Sequence, residues 1–587
     1  MTNAQIAEVF TRLGDLLEIS GANPFRVRAY RNGARALESH AESLADHYSR
    51  HQTLPTIAGI GDDLSQKIGQ LIRGEELPLL RELESRIPDG VLAMLRVPGL
   101  GPSKAARLHK ELGIQSLDQL RAACEAGQVQ HLKGFGAKTE QMILKGLSIA
   151  ETAARRLLWA DADQLAQELR RQLSAAPGVE RLEMAGSYRR GKDTVGDLDV
   201  LVVAADPVAV MDQFARFPAV KSVIGRGDTK MSVRTGESFQ IDLRVVPAKS
   251  FGAALQYFTG SKEHNVTLRG RAKQQGLKIN EYGVYRLAED SGAGAADEYV
   301  AGAAEADVYQ ALGLPWIPPE LREGRQEFPW ADAGMLPQLI ELADIQGDLH
   351  MHTTATDGAA SLEEMMEAAR RRALRYIAIT DHSQRVSMAR GLNPQRLLAQ
   401  WEEIDALNKR LHREGVRDFV VLKGIECDIL EAGGMDLPDE VLSQADWVLA
   451  SVHYGQRQSR AQITDRILGA IKNPHVTAVA HPTGRLLNQR DPYEVDMEAV
   501  IQAAVEHGKL LELNANPMRL DLNELHCAQA KAAGVPIVIN TDAHSVDGLG
   551  VMRYGILQAR RGGLTRVDVA NTLSWPELSR RIRSRIG

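Results

Sequence analysis

The sequence predicts a multidomain protein in which helical N-terminal domains precede an α+β domain and a distorted β/α barrel. The first observation is the length of 587 residues, which exceeds what one hydrophobic core usually holds. The second is a change in pattern: residues 1–150 form short helices punctuated by glycine, whereas residues 151–322 contain short apolar strands. The third is the alternation, from residue 343 onward, of short apolar runs with amphipathic helices, which is typical of a barrel.

The composition is that of a globular protein, with 44% hydrophobic and 25% charged residues. The cysteines Cys124, Cys427 and Cys527 are too few and too scattered for a disulfide framework, which indicates a reducing compartment. The first segment, MTNAQIAEVFTRLGDLLEIS, is an amphipathic helix rather than a signal peptide, and no apolar run has membrane-spanning length. We therefore expect a cytoplasmic protein without a membrane partner.

The N-terminal region contains three similar segments, each with a hydrophobic-Gly-x-Gly turn between helices. They are AGIGDDLSQKI at 58–68, VPGLGPSKAARL at 97–108 and the looser LKGFGAKTEQMI at 132–143. This is the helix-hairpin-helix pattern, in which glycine lets the backbone approach a surface and the helix amides suit a phosphate oxygen. Although the net charge of −6 disfavours a nucleic-acid partner, basic residues cluster locally. The residues expected to bind the DNA backbone here are Gly59, Gly61, Gly99, Gly101 and Lys104.

The middle region carries two aspartates at the start of a strand. Asp197 and Asp199, in GDLDVLVV, are two residues apart and therefore point to the same face. Asp242, in FQIDLRVV, would complete a cluster of three from an adjacent strand. Three close carboxylates repel one another unless cations lie between them. Two Mg²⁺ held in this way can activate a 3′-hydroxyl and stabilise a leaving pyrophosphate. Alone, however, Asp-x-Asp is more often an ordinary strand start.

A glycine-containing turn, AGSYRRG, precedes these aspartates at residues 185–191. Gly186 and Ser187 can offer an amide and a hydroxyl to a phosphate, and Arg190 can offer a guanidinium. Because this turn stands at a short distance before the aspartates, the combination indicates phosphoryl transfer.

In the last region, candidate metal ligands stand at or just after the ends of apolar runs. The runs are Ile345–Leu349, Tyr376–Thr380, Phe419–Gly424, Trp447–Ser451, Val476–Ala480, Leu510–Leu513 and Val535–Asn540. A barrel gathers its chemistry at the C-terminal ends of its strands, and imidazoles with carboxylates from most strands indicate a metal cluster. A single histidine would be better explained as a core or surface residue. The nine candidate ligands are His350, His352, Asp357, His382, Glu426, His453, His481, Asp542 and His544.

Two other functions compete with a nucleotide-transferring enzyme. The N-terminal half could be only a DNA-binding scaffold, with the barrel as the catalytic part, but this leaves the three aspartates and GSYRRG without a purpose. The chain could instead be a small-molecule phosphatase that uses the barrel alone, but such an enzyme has no use for helix-hairpin-helix segments. Primer extension on gapped duplex separates the first alternative from a polymerase.

The motifs resemble those of a known family. GSYRRGKDTVGDLDVLV resembles the nucleotidyltransferase signature of family X DNA polymerases. The resemblance covers residues 1–322 and includes RAYRNGARAL, YFTGSKEHNVTLRGRA, INEYGVY and LGLPWIPPELRE. DLHMHTTATDG, ITDHS, SVHYG, AHPTG and NTDAH resemble a PHP (polymerase and histidinol phosphatase) domain. The combination is similar to the bacterial and archaeal type of this polymerase family.

The resemblance implies six segments. They are a lyase-like helical domain at 1–88, a helix-hairpin-helix subdomain at 89–150, a nucleotidyltransferase palm at 151–250, a nucleotide-binding subdomain at 251–322, a linker at 323–342 and a PHP metallophosphoesterase domain at 343–587. Within the fourth segment, the small-residue-rich SGAGAADEYVAGAAEAD at 291–307 is expected to be a loop.

The resemblance also implies roles for residues of the polymerase half. Asp197, Asp199 and Asp242 would hold Mg²⁺ or Mn²⁺, and Lys67 matches the Schiff-base lysine of the lyase reaction. Lys230 and Arg269 would approach the template strand. The residues implied in nucleotide binding are Gly186, Ser187, Arg190, Gly196, Tyr257, Phe258, Gly260 and Asn265.

For the barrel, the resemblance implies up to three ions. His350, His352, Glu426 and Asp542 would hold the first. Glu426 would bridge to a second ion held by His453 and His481, and a third would bind Asp357, His382 and His544. Nitrogen and oxygen ligands suit Zn²⁺, Mn²⁺ or iron, and the expected reaction is metal-assisted hydrolysis of a phosphodiester at a 3′ end.

The implied function is gap filling in DNA repair, of the base-excision type, with a 3′→5′ exonuclease or 3′-end-processing activity in the barrel. The partners would be gapped or nicked DNA and dNTPs, and the enzyme would be a monomer. An additional AP lyase or AP endonuclease activity stays open. Three residues depart from the vertebrate pattern: Gln240 replaces an arginine, Lys262 replaces an acidic residue, and Asp63 replaces a DNA-binding lysine.

Overall fold

The computed structural model describes residues 3–38, 44, 47–48, 52–55, 57, 60–97, 100–236, 239–287 and 297–586. The chain forms two compact units, residues 1–153 with 488–490 and residues 154–487 with 491–587. Over the described ranges, no helix is both long enough and apolar enough to cross a membrane.

The first unit is helical. Its helices are Asn3–Ile19, Pro24–Glu38, Asp62–Ile72, Pro78–Arg86, Asp89–Ala93, Pro102–Leu112, Leu117–Glu125 and Ala137–Arg155. Their apolar faces meet in one core that includes the fully buried Phe10, Leu13 and Ile68. Extended Gly61 and Gly101 immediately precede two of the helices, as the hairpin pattern predicts. The helical character expected of this region is confirmed.

The second unit begins with a five-stranded mixed sheet. In spatial order its strands are Val179–Met184, Asp197–Ala204, Phe239–Val245, Lys230–Thr235 and Val220–Arg226. The second and third strands are parallel, and their other neighbours are antiparallel. Helices Trp159–Ser174 and Pro207–Ala215 contribute to the core on one face, which contains Leu198 and Val200 of the second strand. Helix Phe251–Thr259 packs on the other face.

The palm is followed by a small domain with its own core. Its elements are helices Phe251–Thr259, Lys262–Gln274 and Glu305–Gln310 and strands Leu277–Asn280, Gly283–Arg286 and Glu298–Ala301. The loop expected at 291–307 is wrong at residues 298–301, which pair with Gly283–Arg286, and from residue 305, where helix Glu305–Gln310 begins. The segment expected to be a linker contains helix Glu327–Asp332, and its Phe328 packs into this core.

The rest of the unit is a barrel of seven parallel strands in sequential order. The strands are Gly347–Asp348, Tyr376–Ile379, Val420–Asp428, Trp447–Ser451, Ala478–Val479, Leu510–Asn514 and Ile537–Asn540. The helices of this region are Leu362–Arg371, Pro394–Arg413, Asp439–Leu442, Arg460–Lys472, Met497–Glu506, Glu524–Ala533, Met552–Arg561 and Trp575–Ile586. The first and last strands approach at their ends, where the His352 amide donates to the carbonyl of Ala543 at 2.8 Å.

The predicted barrel is confirmed, with one correction of detail. Glu426 lies inside the strand Val420–Asp428 and not after its end. The sequence prediction ended this apolar run at Gly424, but the strand continues to Asp428, and Glu426 and Asp428 are buried in it. Several helices begin at capping side chains, such as Ser361, which accepts from the Glu364 amide while Glu364 reaches back to the Ser361 amide.

Candidate active sites

Three aspartates lie side by side on the two parallel strands of the palm sheet. Asp199 stands opposite Asp242 in the strand register, and Asp197 precedes Asp199 by one pleat on the same face. Gly186 approaches this cluster closely: a Cβ atom on it would lie 2.6 Å from Oδ2 of Asp199, and its φ is +65°. Glycine is therefore required here, and the predicted phosphate-binding turn abuts the carboxylates.

Burial and mutual repulsion govern the charge of the three carboxylates. Burial, followed by the charges of Asp197 and Asp242, raises the pKa of Asp199 to about 7. Burial and Asp242 also raise the pKa of Asp197. At Asp242 burial acts in the same direction, but hydrogen bonds from Ser232 and Gln240 outweigh it and the pKa is lowered. A repelling set of oxygen ligands fits a hard divalent cation such as Mg²⁺ or Mn²⁺.

The carboxylate of Asp242 contacts the side chains of Gln240 and Lys230. Gln240 donates from Nε2 to Oδ1 of Asp242 at 2.7 Å, so it supplies a hydrogen bond where the resemblance expects an arginine. The Nζ atom of Lys230 lies 3.3 Å from Oδ2 of the same aspartate. Lys230, which the resemblance implies at the template phosphate, is thus paired with a carboxylate of the cluster.

Arg190, one of the residues implied in nucleotide binding, contacts the turn at Gly260. Arg190 donates from Nη1 to the carbonyl of Thr259, and its Nε lies 3.1 Å from Oε1 of Glu323. A Cβ atom on Gly260 would lie 3.2 Å from Nη1 of Arg190. Gly196 is beside a different guanidinium, because a Cβ atom there would lie 3.0 Å from Nη1 of Arg156.

The residues implied around the sugar and base form a second group. The rings of Tyr257 and Phe258 meet edge to face with centroids 5.1 Å apart. Asn265 donates from Nδ2 to the carbonyl of Tyr257 at 2.7 Å and accepts from Gln256 at 2.8 Å. Arg269, one turn further along the same helix, donates to the carbonyl of Asn265 at 3.2 Å.

The barrel mouth contains a compact first group of possible ligands. Nε2 of His350 lies 3.5 Å from Oε2 of Glu426 and 3.4 Å from Oδ1 of Asp542. Nε2 of His352 lies 3.7 Å and 3.1 Å from the same two oxygens. These are the four residues assigned to the first ion, and all four are buried.

Glu426 stands among five imidazoles. Its Oε1 lies 2.9 Å from Nε2 of His481 and 3.4 Å from Nε2 of His453, and its Oε2 lies 2.7 Å from Nδ1 of His382. Burial would raise the pKa of this carboxyl, but His453, His382 and His350 outweigh burial and lower it well below the usual value. A carboxylate with ligand groups on both oxygens has the position that a bridge between two cations requires.

The third group surrounds Asp357. Nε2 of His382 lies 3.4 Å from Oδ2 of Asp357, and Nε2 of His544 lies 3.6 Å from Oδ1. His352 also belongs to this group through Nδ1, which lies 3.9 Å from Oδ1. The possible ligand atoms of these four residues all lie within 4.8 Å of one another. The structure therefore brings the nine predicted residues into one continuous cluster.

Buried atoms without hydrogen bonds test whether this cluster fits cations. Nε2 of His350 and Nδ1 of His352 are buried and make no hydrogen bond within the described part of the chain. Leaving such atoms unpaired is costly unless a ligand uses them. Mixed nitrogen and oxygen donors suit Zn²⁺, Mn²⁺ or iron, so the site fits the cations that the sequence predicts.

The hairpin residues of the first unit are described only in part. Gly59 and Gly99 lie outside the described residues. Nothing lies within 4 Å of a Cβ atom built on Gly61 or Gly101, so another surface can approach both backbones. Nζ of Lys104 lies 5.9 Å from the centre of the Phe135 ring.

Lys67, the implied Schiff-base lysine, has a specific partner. Its Nζ forms a short ion pair with the carboxylate of Asp63, one helical turn earlier. Asp63 is the residue that replaces a lysine of the vertebrate pattern. An ammonium group held by a carboxylate is not a nucleophile, so this pairing opposes the lyase reaction.

Comparisons with known proteins agree with this arrangement. Five domain profiles match the chain: a helix-hairpin-helix domain at 1–77, a SAM-like helix-hairpin-helix tandem at 91–148, a DNA polymerase beta palm at 157–231, a DNA polymerase beta thumb at 254–323 and a PHP domain at 348–516. The DNA polymerase/3′-5′ exonuclease PolX of Bacillus subtilis (strain 168) is 40% identical over 580 residues, which covers 98% of this chain and 99% of that protein.

The chain belongs to the PolX family of DNA polymerases. Two further relatives match parts of it. DNA polymerase lambda of Rattus norvegicus is 26% identical over 346 residues, or 55% of this chain and 56% of that protein. A probable phosphatase of Acetivibrio thermocellus is 32% identical over 206 residues, or 34% of this chain and 78% of that protein. The predicted combination of helix-hairpin-helix domains, palm and PHP domain is thereby confirmed.

In this PolX chain, the sequence prediction did not include the carboxylates that contact the predicted metal ligands. Glu512 is fully buried, and its Oε1 lies 2.7 Å from Nδ1 of His350. Asp428 is equally buried, and its Oδ1 lies 3.1 Å from Nδ1 of His453. Each is a carboxylate inside an apolar strand. Because a buried carboxylate needs a partner, this placement was a signal in the sequence for both residues.

Two arginines near the predicted sites were also missed. Arg244 follows Asp242 by two residues on the same strand face, and its guanidinium lies 4.4 Å from the centre of the Phe258 ring. The spacing alone could have identified it. Arg519, in a barrel loop, has its Nε 3.6 Å from Oδ2 of Asp542, and no motif distinguishes it in the sequence.

Proposed function

We propose that this PolX-family chain fills short gaps in DNA during repair and trims the 3′ ends that it extends. The observation that carries the proposal is the presence of two separate ligand clusters of different chemistry in one chain. Asp197, Asp199 and Asp242 offer only oxygen, whereas the barrel cluster combines six histidines with three carboxylates. Similarity to DNA polymerase lambda over 346 residues supports gap filling.

In the palm, the side chains would act mainly by position. Gly186 and Ser187 would receive the triphosphate next to the aspartates, and Arg190 would bind its phosphate oxygens. Gln240 keeps the Asp242 carboxylate oriented toward the other two. Mg²⁺ or Mn²⁺ on these carboxylates would activate the primer 3′-hydroxyl and neutralise the leaving pyrophosphate.

In the barrel, the supporting carboxylates fix the imidazoles. A carboxylate accepts hydrogen bonds, so Nδ1 of His350 donates to Glu512 and Nε2 keeps its lone pair for a cation. Asp428 does the same for His453. Bound Zn²⁺ or Mn²⁺ ions, up to three, would lower the pKa of water and polarise a phosphodiester. Arg519 is near enough to Asp542 to neutralise the phosphate of a 3′-terminal nucleotide.

One gapped substrate tests both activities. It carries either a normal 3′-hydroxyl or a blocked 3′ end, and it is assayed with Mg²⁺, Mn²⁺ and Zn²⁺. We expect the wild type to extend the first substrate directly and to extend the second only after removal of the block. A His350→Ala/His352→Ala variant should extend the first and fail on the second. Trimming by that variant would assign the nuclease to another site.

The remaining expectations follow from the same proposal. We propose a monomeric, cytoplasmic enzyme whose partners are gapped or nicked DNA and dNTPs. The mass of the purified protein from light scattering, with and without gapped DNA, tests the monomer. For the AP lyase, the Lys67–Asp63 ion pair favours a weak activity at most, and borohydride trapping on an abasic site measures it. An AP endonuclease activity of the barrel is measured by incision of the same duplex without borohydride.

A further inference from the structure

The C-terminal barrel contacts the phosphate-binding turn of the palm directly. Leu557, on the barrel helix Met552–Arg561, packs so closely against Gly191 that a Cβ atom on Gly191 would lie 2.5 Å from it. On the same helix, Arg561 donates from Nη1 to the carbonyl of Arg190 at 2.8 Å. The turn that is proposed to bind the triphosphate is therefore held by the domain that is proposed to act as a nuclease.

Arg561 and Arg190 also share one carboxylate. Nη1 of Arg561 lies 2.9 Å from Oε1 of Glu323, and Nε of Arg190 lies 3.1 Å from the same oxygen. Lys192 adds a third cation, with Nζ 3.6 Å from Oε2. Arg561 is 1% exposed and also binds Glu524 at 3.0 Å. Buried guanidinium groups with two carboxylate partners are held in a fixed orientation.

The charges around Glu323 show how the carboxylate shared by Arg561 and Arg190 affects phosphate binding by Arg190. Burial would raise the pKa of Glu323, but Arg561 and Arg190, with Lys192, outweigh burial and lower the pKa. Glu323 is thus an anion beside Arg190, in competition with the phosphates that Arg190 is proposed to bind. Because Arg561 and Lys192 also neutralise Glu323, the anion has partners that remain when Arg190 turns to the triphosphate.

We propose that Arg561 of the PHP domain is a positioning residue of the polymerase site: it retains Glu323 and so leaves the guanidinium of Arg190 available to the incoming nucleotide. The inference rests on the proposed role of Arg190 in triphosphate binding. It assigns to the barrel a part in nucleotide affinity that is separate from its nuclease chemistry.

The test is steady-state single-nucleotide gap filling with the full-length chain, with KM and kcat measured separately. Arg561→Ala leaves Glu323 bound mainly to Arg190, so we expect KM for the dNTP to rise roughly tenfold while kcat changes less than about twofold. Arg561→Lys keeps the charge and should restore part of the affinity. Nuclease activity on a single-stranded 3′ end should be unchanged in both variants.

Arg560 provides a matched control on the same helix. It makes comparable contacts with the preceding domain, from Nε to Glu320 at 2.7 Å and from Nη1 to the carbonyl of Ile340 at 3.0 Å. Arg560→Ala therefore removes a contact between the same regions without touching the shared carboxylate, and KM should stay within about twofold of the wild type. An equal rise of KM in Arg560→Ala would overturn the inference in favour of general loosening.

Glu323→Gln tests whether Arg561 acts through Glu323, because it removes the negative charge that competes with the triphosphate for Arg190. KM should fall or stay the same, and adding Arg561→Ala to this variant should raise KM by less than about threefold. A tenfold rise in the double variant would show that Arg561 does not act through Glu323. If Arg561→Ala fails to fold by circular dichroism, Arg561→Gln takes its place, because it removes the charge but keeps much of the side chain: a KM equal to that of the wild type in this variant overturns the inference.

Arg190→Ala distinguishes this failure from failure of the proposed function. If Arg190→Ala raises KM and Arg561→Ala does not, the inference is wrong while the role of Arg190 stands. If Arg190→Ala leaves KM unchanged, the proposed triphosphate site is wrong, and the inference falls with it.

Discussion

The palm and the barrel each gather acidic side chains at one edge of a sheet, yet the two clusters are built differently. The palm cluster contains three aspartates on two strands, with Asp197 exposed and Asp199 and Asp242 partly buried. The barrel cluster contains nine side chains from most of the barrel, and it is surrounded by buried carboxylates such as Glu512 and Asp428. The palm cluster is accessible to solvent, whereas most of the barrel cluster is buried and only Asp357 and His544 among its nine side chains are more than a third exposed.

The difference indicates which further ligands the cations of each site would need. Three carboxylates cannot saturate two cations, so the palm depends on the triphosphate and the primer for further ligands. In the barrel, imidazoles and carboxylates surround each position before any substrate binds. We therefore expect palm cations to exchange with solvent between turnovers and barrel cations to remain through purification.

The largest effect should come from the palm. Asp199→Ala removes the carboxylate that Gly186 and the other two aspartates surround. The loss of cation-based stabilisation is several kcal/mol, so nucleotide addition should fall by on the order of 1,000-fold or more. Nuclease activity and bound metal of the purified variant should equal those of the wild type. Retained polymerisation would show that the palm assignment is wrong.

The second-largest effect should be on the metal content of the barrel. Glu426→Ala removes the carboxylate that contacts ligands of more than one group, so elemental analysis should show a loss of more than one equivalent. His544→Ala affects the third group only and should lose about one. Nuclease activity should fall about 100-fold or more in both variants, while addition to a clean 3′-hydroxyl survives. Equal losses of metal would remove Glu426 as a bridge.

A smaller effect should come from the support of the barrel ligands. Glu512→Gln keeps the size of the side chain but lets the amide donate to His350, so Nδ1 no longer needs to carry the hydrogen. Loss of such a partner typically costs about 10- to 100-fold in metal affinity or activity. This loss is measured by following nuclease activity as a function of Zn²⁺ or Mn²⁺ concentration. Asn540→Ala, which removes another donor to Glu512, should have a weaker effect in the same assay.

The smallest effect is expected for Lys230, whose Nζ contacts the carboxylate of Asp242. If this contact is its main role, Lys230→Ala should lower kcat only a fewfold and leave the salt dependence of DNA binding unchanged. If Lys230 instead binds a template phosphate, the slope of log affinity against log salt should decrease by about one. Fluorescence anisotropy with gapped DNA over a salt series separates the two roles.

Local patterns were sufficient to predict several features. The spacing of Asp197 and Asp199 places both on one strand face whatever the rest of the chain does, because side chains alternate along a strand. Strand-end residues such as His453 and His481 could be predicted to converge because every parallel strand of a barrel ends at the same mouth. The resemblance of the motifs to a family supplied the remaining assignments.

Contacts between distant segments could not be predicted in this way. Glu512 lies 162 positions from His350, and Arg561 lies 371 positions from Arg190. No periodicity links such residues, since only the packed chain decides which side chains meet. The strand Glu298–Ala301 was also missed, because the small residues on either side of it favour a loop, although its Tyr299 and Val300 favour a strand and it pairs with a neighbouring strand.

The sequence by itself determined the order of domains, the face of the palm aspartates and the end of the barrel where ligands gather, because these follow from chain periodicity and strand direction. Only the tertiary structure decided that Lys230 contacts Asp242, that Glu512 accepts from His350, and that the barrel and the palm share Glu323. Side-chain hydrogen bonds and ion pairs act over about 3 Å, and most such partners are brought within that distance only by folding.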